Sequence, residues 1–189
     1  IPLIRMADGP QGVRNNTKST LFACGVAAAA AWNEDVVYEM GVALGQDSRA
    51  RGVHILLGPG VNIYRSPLCG RNFEYMGEDP FLAGKMVVPY IQEVQKNGVA
   101  ACVKHFALNN QEENRLKYNA VIDDRTLYEI YLPAFKAAGQ EGGAWSIMGA
   151  YNLFEGEHLC HNDRILNKIL KEEWGFDGFV VSDYGGVDN

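Results

Sequence analysis

Gly178-Phe179-Val180-Val181-Ser182-Asp183-Tyr184-Gly185-Gly186 reads as a short apolar strand that ends on a carboxylate. β-Branched and aromatic residues favour the extended chain, and a run without polar interruption suits a strand buried on both faces. The character then flips within one residue, and Gly185-Gly186 lets the chain turn sharply. A carboxylate at the C-terminal end of a buried parallel strand stands at the mouth of an α/β barrel or sheet, where such folds keep their chemistry. Asp is equally at home as a helix N-cap or in a turn, so the rest of the chain has to decide.

Working back from that stretch, the same switch recurs. Ile1–Arg14 opens apolar and turns at Asp8-Gly9-Pro10. Gly25–Trp32 is Ala-rich and suits a helix or a buried strand. Asn33 caps an expected helix to about Arg51, with Val36, Val37, Met40 and Leu44 at helical spacing. A strand over 53–57 runs into Gly58-Pro59-Gly60 and a long loop to Asp79, rich in Arg and aromatics. Asp79-Pro80 starts a helix to about Lys96, and Asn97-Gly98 closes it. A strand over 99–104 ends at Lys104-His105, and a polar loop follows to Lys117. Asp123 or Asp124 caps a helix to about Ala138. Strand 144–150 leads into Tyr151-Asn152, and Asn162 caps an amphipathic helix with Ile165, Leu166, Ile169, Leu170 and Trp174 on one side. Strands alternating with helices mean βαβ units and a parallel sheet, here a (β/α)8 TIM-barrel-like α/β domain, with all strand ends on one face.

Composition narrows the function classes. With 47% hydrophobic and 21% charged residues, the chain has ordinary soluble globular character. A net charge of −6 and the absence of a basic run argue against nucleic acid. No apolar run reaches the ~18 residues of a membrane span. The 4 cysteines are far apart and form no CxxC pair, so zinc and redox roles are not expected, and they do not fix a compartment, cytoplasmic, periplasmic or secreted.

The expected strand ends gather Asp8, Arg14, Arg71, Lys104, His105, Arg115, Tyr151 and Asp183. Each taken alone has an ordinary structural use: a solvated charge, a hydrogen-bonded histidine, a core tyrosine. Together they read as four cations around two acids, a substrate cradle and not a metal site, since neither HxH nor HExxH occurs. No cofactor is expected. Sugar hydroxyls suit Asp acceptors, Arg, Lys and His donors and an aromatic face. Nearby positive charge favours an ionised carboxylate, which suits a nucleophile better than a general acid.

DGPQGVR (8–14), GPGVNIYRSPLCGRNFEYMGEDP (58–80), KHFALNNQEENR (104–115), MGAYN (148–152) and GFVVSDYGG (178–186) together resemble glycoside hydrolase family 3, over essentially the whole chain. The resemblance implies a (β/α)8-like first domain, of which residues 1–189 are a part, followed by an α/β sandwich domain absent from this stretch. It implies retaining hydrolysis of β-glycosides from the non-reducing end, with a β-glucoside or oligosaccharide as partner. Asp183 matches the nucleophile. Asp8 matches the acid that holds the distal hydroxyls of the first sugar subsite, and Arg14, Arg71, Lys104, His105, Arg115 and Tyr151 match the rest of its wall. Asp at position 8 resembles the glucosidase members more than the xylosidases. Tyr184 takes the place of a Trp that commonly follows the nucleophile in close relatives, on the substrate-binding side of the site. The acid/base residue is implied to come from the following domain, so these residues alone are expected to be inactive. Competing readings are a non-catalytic sugar-binding relative, a β-xylosidase or other β-glycosidase, and a metal-dependent barrel hydrolase.

One local conflict follows from the resemblance. Neighbouring residues on a regular strand point to opposite faces. Lys104 and His105 are both asked to reach one sugar, so the strand is expected to end at Lys104 with a bulge or a cis peptide.

Overall fold

The computed structural model describes residues 2–187. In chain order the strands are β1 (Met6–Asp8), β2 (Ile55–Leu57), β3 (Ala100–Phe106), β4 (Asn119–Ala120), β5 (Ser146–Gly149), β6 (Leu153–Phe154), β7 (Glu157–His158) and β8 (Phe179–Val181). The helices are α1 (Gly25–Ala30), α2 (Glu34–Ala50), α3 (Pro80–Lys96), α4 (Asp124–Thr126) and α5 (Pro133–Gln140), with wider, π-helical turns over Leu127–Tyr131 and Arg164–Glu173.

A five-stranded sheet in the order β1-β2-β3-β5-β8 is parallel throughout. Its spatial order is the chain order, as in a barrel wall, and it does not close among the described residues. The outer face of this wall packs on α2, α3 and α5, through Leu56, Ala101, Val103 and Ile147 among others. The inner face carries Ile55, Leu57, Ala100, Cys102 and Met148. Period-2 alternation explains this division of Ile55 and Leu57 from Leu56. Asn33 and Asp79 cap α2 and α3 by accepting the Asp35 and Leu82 backbone N–H groups at 2.9 and 2.8 Å.

Several expectations are corrected. β8, read as buried on both faces, has Phe179 46% exposed, because it lies at the edge of the described sheet. Val36 faces solvent, and Ser48 instead continues the buried stripe of α2. β3 does not stop at Lys104. It runs on to Phe106, while the irregularity expected at this point is present within it, as a cis peptide at Lys104–His105, a second at Phe106–Ala107 and a register shift against β5 between Val103 and Phe106. The helix expected over 124–138 is broken at Pro133, which lacks the N–H that would continue it. Asn162 does cap the last helix, accepting the Ile165 N–H at 3.0 Å, but the helix is wound as a π-helix. Its buried positions fall on successive turns, Ile165, then Ile169 and Leu170, then Trp174, a spacing that suits i→i+5 hydrogen bonds such as Trp174 N–H to Ile169 C=O. The three-stranded sheet β4-β6-β7 was not anticipated.

Candidate active site

The C-terminal edge of the parallel sheet opens into a cavity of about 460 Å³, within the usual range for small-ligand sites. Asp8, Arg14, Arg71, Lys104, His105, Arg115, Tyr151, Asp183 and Tyr184 all line it. Asp8 ends β1, Lys104 and His105 lie near the end of β3, and Tyr151 and Asp183 follow β5 and β8. Arg71 and Arg115 come from the two long loops.

Lys104 is almost fully buried. Its Nζ lies 3.2 Å from Asp8 Oδ1 and 3.1 Å from Glu74 Oε1. Glu74 in turn accepts two hydrogen bonds from Arg71, Nε to Oε2 at 3.0 Å and Nη2 to Oε1 at 2.9 Å. Burial pulls the Arg71 pKa down, but the Glu74 hydrogen bond, aided by the Tyr75, Glu74 and Glu112 charges, reverses this and raises it. Gly60 makes room for the arrangement: a Cβ there would stand 2.9 Å from the Tyr75 ring and 3.2 Å from Glu74 Cγ. Arg115 pairs with Glu112 at 2.9 Å, and its guanidinium carbon sits 4.7 Å from the Tyr151 ring centre.

His105 is held on three sides. Its backbone N–H donates to Asn62 Oδ1 at 2.7 Å, and its C=O accepts from Asn62 Nδ2 at 2.9 Å. Its Nδ1 lies 3.2 Å from the Tyr75 hydroxyl, which also accepts from Asn109 Nδ2 at 3.2 Å. With the Asn109 amide supplying a donor, the Tyr75 proton goes to Nδ1, and the ring proton of His105 sits on Nε2. Burial, then the Arg71, Lys104 and Arg115 charges, hold the His105 pKa well below its ordinary value, so the imidazole is neutral.

Asp183 is 6% exposed. Its Oδ1 accepts the Tyr184 N–H at 2.8 Å, and its Oδ2 has no hydrogen-bond partner among the described residues. The Tyr151 hydroxyl donates to the Tyr184 C=O at 2.7 Å, bracing the turn that carries Asp183. Burial and the Asp183 charge push the Tyr151 pKa up to about 12. Tyr184 itself is 67% exposed at the cavity mouth.

Reading the sequence as four cations around two acids missed half of the negative charge. Glu74 and Glu112 belong to the same ion-pair set, so Asp183 is not a lone carboxylate amid unpaired cations. Glu112 has a local signal, standing three residues before Arg115. Asn62, Tyr75 and Asn109 were also unread, because their partners lie 30 or more residues away. Among the described residues no group of three His, Cys, Asp or Glu side chains is placed to hold a metal ion, and no helix is long and apolar enough to cross a membrane.

The model of the glycosyl hydrolase family 3 N-terminal domain matches residues 1–189. The chain belongs to glycoside hydrolase family 3. The β-glucosidase BoGH3A of Bacteroides ovatus is 55% identical over 200 residues, an overlap of 99% of this chain and 27% of that protein. Thermostable β-glucosidase B of Acetivibrio thermocellus is 45% identical, over 100% of this chain and 27% of that protein. The glucose complex of β-glucosidase 3B from Thermotoga neapolitana superposes with a TM-score of 0.97 at 44% identity, over 100% of this chain and 28% of that one. The chain thus spans about a quarter of the length of the family 3 relatives it matches. The incomplete barrel wall is part of the family 3 fold.

Proposed function

We propose that this chain provides the sugar-binding floor and the nucleophile of a retaining β-glycosidase acting on terminal, non-reducing β-D-glucosyl groups. The observation that carries the reading is Asp183: nearly buried at the end of β8, lining the cavity, with Oδ2 unpartnered among the described residues. The β-glucosidase names of the family 3 relatives support the substrate class.

The Asp183 carboxylate attacks the anomeric carbon as the glycosidic C–O bond breaks. The bond's electron pair leaves with the aglycone oxygen, which takes a proton from a general acid. The result is a glycosyl ester on Asp183. Water then attacks the same carbon, gives its proton to the conjugate base, and frees the carboxylate. His105 Nε2–H, Lys104 and Arg71 offer donors to sugar hydroxyls, and Asp8 offers an acceptor. The general acid is assigned to none of these residues: Asp8 and Glu74 are already paired with Lys104, and Glu112 with Arg115. It is proposed to come from the sandwich domain that follows the barrel in the family.

The test is trapping. A 2-deoxy-2-fluoro β-glucoside with a good leaving group should inactivate the enzyme and leave its label on the peptide containing Asp183. A label on Asp8, Glu74 or Glu78, or turnover of Asp183→Asn near the wild-type rate, would overturn the assignment.

A further inference from the structure

We propose that Glu74 is a specificity-determining residue: it neutralises Arg71 and Lys104 from within the protein, so that they serve an uncharged sugar and do not capture an anion. This rests on the sugar-site reading above and adds a reason for its selectivity.

Arg71 and Lys104 are the most deeply placed cations of the cavity wall, with side chains 19% and 4% exposed. Two buried cations on one wall would ordinarily make an anion site, since Arg and Lys bind carboxylate and phosphate well when water is excluded. Glu74 pre-empts that use. Its side chain is 8% exposed, both of its oxygens are taken by Arg71, and Oε1 also meets Lys104. Asp8 takes a second side of Lys104. The remaining N–H donors of both cations stay available to hydroxyl oxygens, which need a donor and no net charge. Without Glu74, Arg71 keeps no carboxylate at ion-pair distance among the described residues and Lys104 keeps Asp8 alone, so an anion entering the cavity can take the vacated place.

Glu74→Gln keeps the shape of the side chain and removes its charge. The full-length protein and this variant of it are titrated calorimetrically with D-glucose and with inorganic phosphate at constant ionic strength. The wild type should bind glucose and give no phosphate heat. The variant should bind glucose about 10-fold more weakly, because Arg71 and Lys104 lose the carboxylate that positions their donors, and should acquire phosphate binding with a phosphate-dependent rise in Tm. Glu74→Asp, which keeps the charge but withdraws it, should lose glucose affinity without gaining phosphate. Phosphate binding to wild type and variant alike, wild-type glucose affinity in Glu74→Gln, or phosphate binding by Glu74→Asp would each overturn the inference. Should Glu74→Gln unfold, phosphate must restore its cooperative melt, and failure to do so also overturns it. These readouts do not depend on turnover: a wild type that binds glucose but hydrolyses nothing would sink the hydrolase reading alone.

Discussion

Nε2 of His105 stands 3.7 Å from Oδ2 of Asp183, and both side chains are buried. Because Nδ1 faces the Tyr75 hydroxyl, Nε2 is the protonated nitrogen, and the pair is a neutral donor beside a carboxylate. Proton position at this point is set one contact away, by Tyr75 and Asn109.

Tyr75→Phe removes the group that fixes the tautomer. It also leaves His105 Nδ1 and an Asn109 amide proton unpaired in the interior, a cost of about 1–3 kcal/mol. Denaturant melts should show that loss. Restored stability in Tyr75→Phe combined with Asn109→Leu would locate the cost in the orphaned amide.

The lowered His105 pKa makes stability depend on pH. The unfolded chain protonates this histidine below its ordinary value of 6.5, whereas the folded chain resists it. The unfolded state therefore binds more protons, and stability falls as pH drops below 6.5, by up to about 1.4 kcal/mol per unit, until the folded pKa is passed. Melting temperatures between pH 7.5 and 5 should fall more steeply in the wild type than in His105→Gln. Parallel profiles would remove His105 as the cause.

Asn62→Asp should be costly despite its small change in size. The carboxylate still accepts the His105 N–H but cannot donate to the His105 C=O, leaving a buried carbonyl orphaned. A loss of about 1–3 kcal/mol is expected. Equilibrium unfolding reads this directly, and a neutral result would mean that water or another donor reaches that carbonyl.

On the proposed reading of Asp8 as an acceptor for distal hydroxyls, Asp8→Ala in the full-length enzyme should weaken both ground-state binding and turnover, since such a contact also acts in the transition state. KM and kcat on 4-nitrophenyl β-D-glucoside should both worsen, roughly 10-fold or more in each, as for loss of hydrogen bonds to a charged group. An effect on KM alone would make Asp8 a uniform-binding contact.

The barrel wall was legible because its signals are local. Apolar runs that end on Asp8, Lys104 or Asp183 mark strands whose C-terminal ends share a face, and Asn33 and Asp79 mark helix starts within a residue. What escaped depends on distant pairing or on short elements. Glu74 looks like one more loop carboxylate until β3 brings Lys104 against it from 30 residues away. β4, β6 and β7 are two residues each, too short for any alternation to register. The extension of β3 past Lys104 follows from its pairing with β5, at Phe106 and Gly149, and no feature of 99–106 alone announces it.

The closed ion pairs of the cavity wall also bear on how a substrate arrives. Arg71, Lys104 and Arg115 each have a carboxylate within 4 Å, so their fields largely cancel within a few ångströms. That is short of the ~10 Å over which salt screens charge at ordinary ionic strength. Cations paired in this way add little long-range field. A neutral glycoside should be captured at a rate indifferent to salt, held by hydrogen bonds that begin to act only on contact.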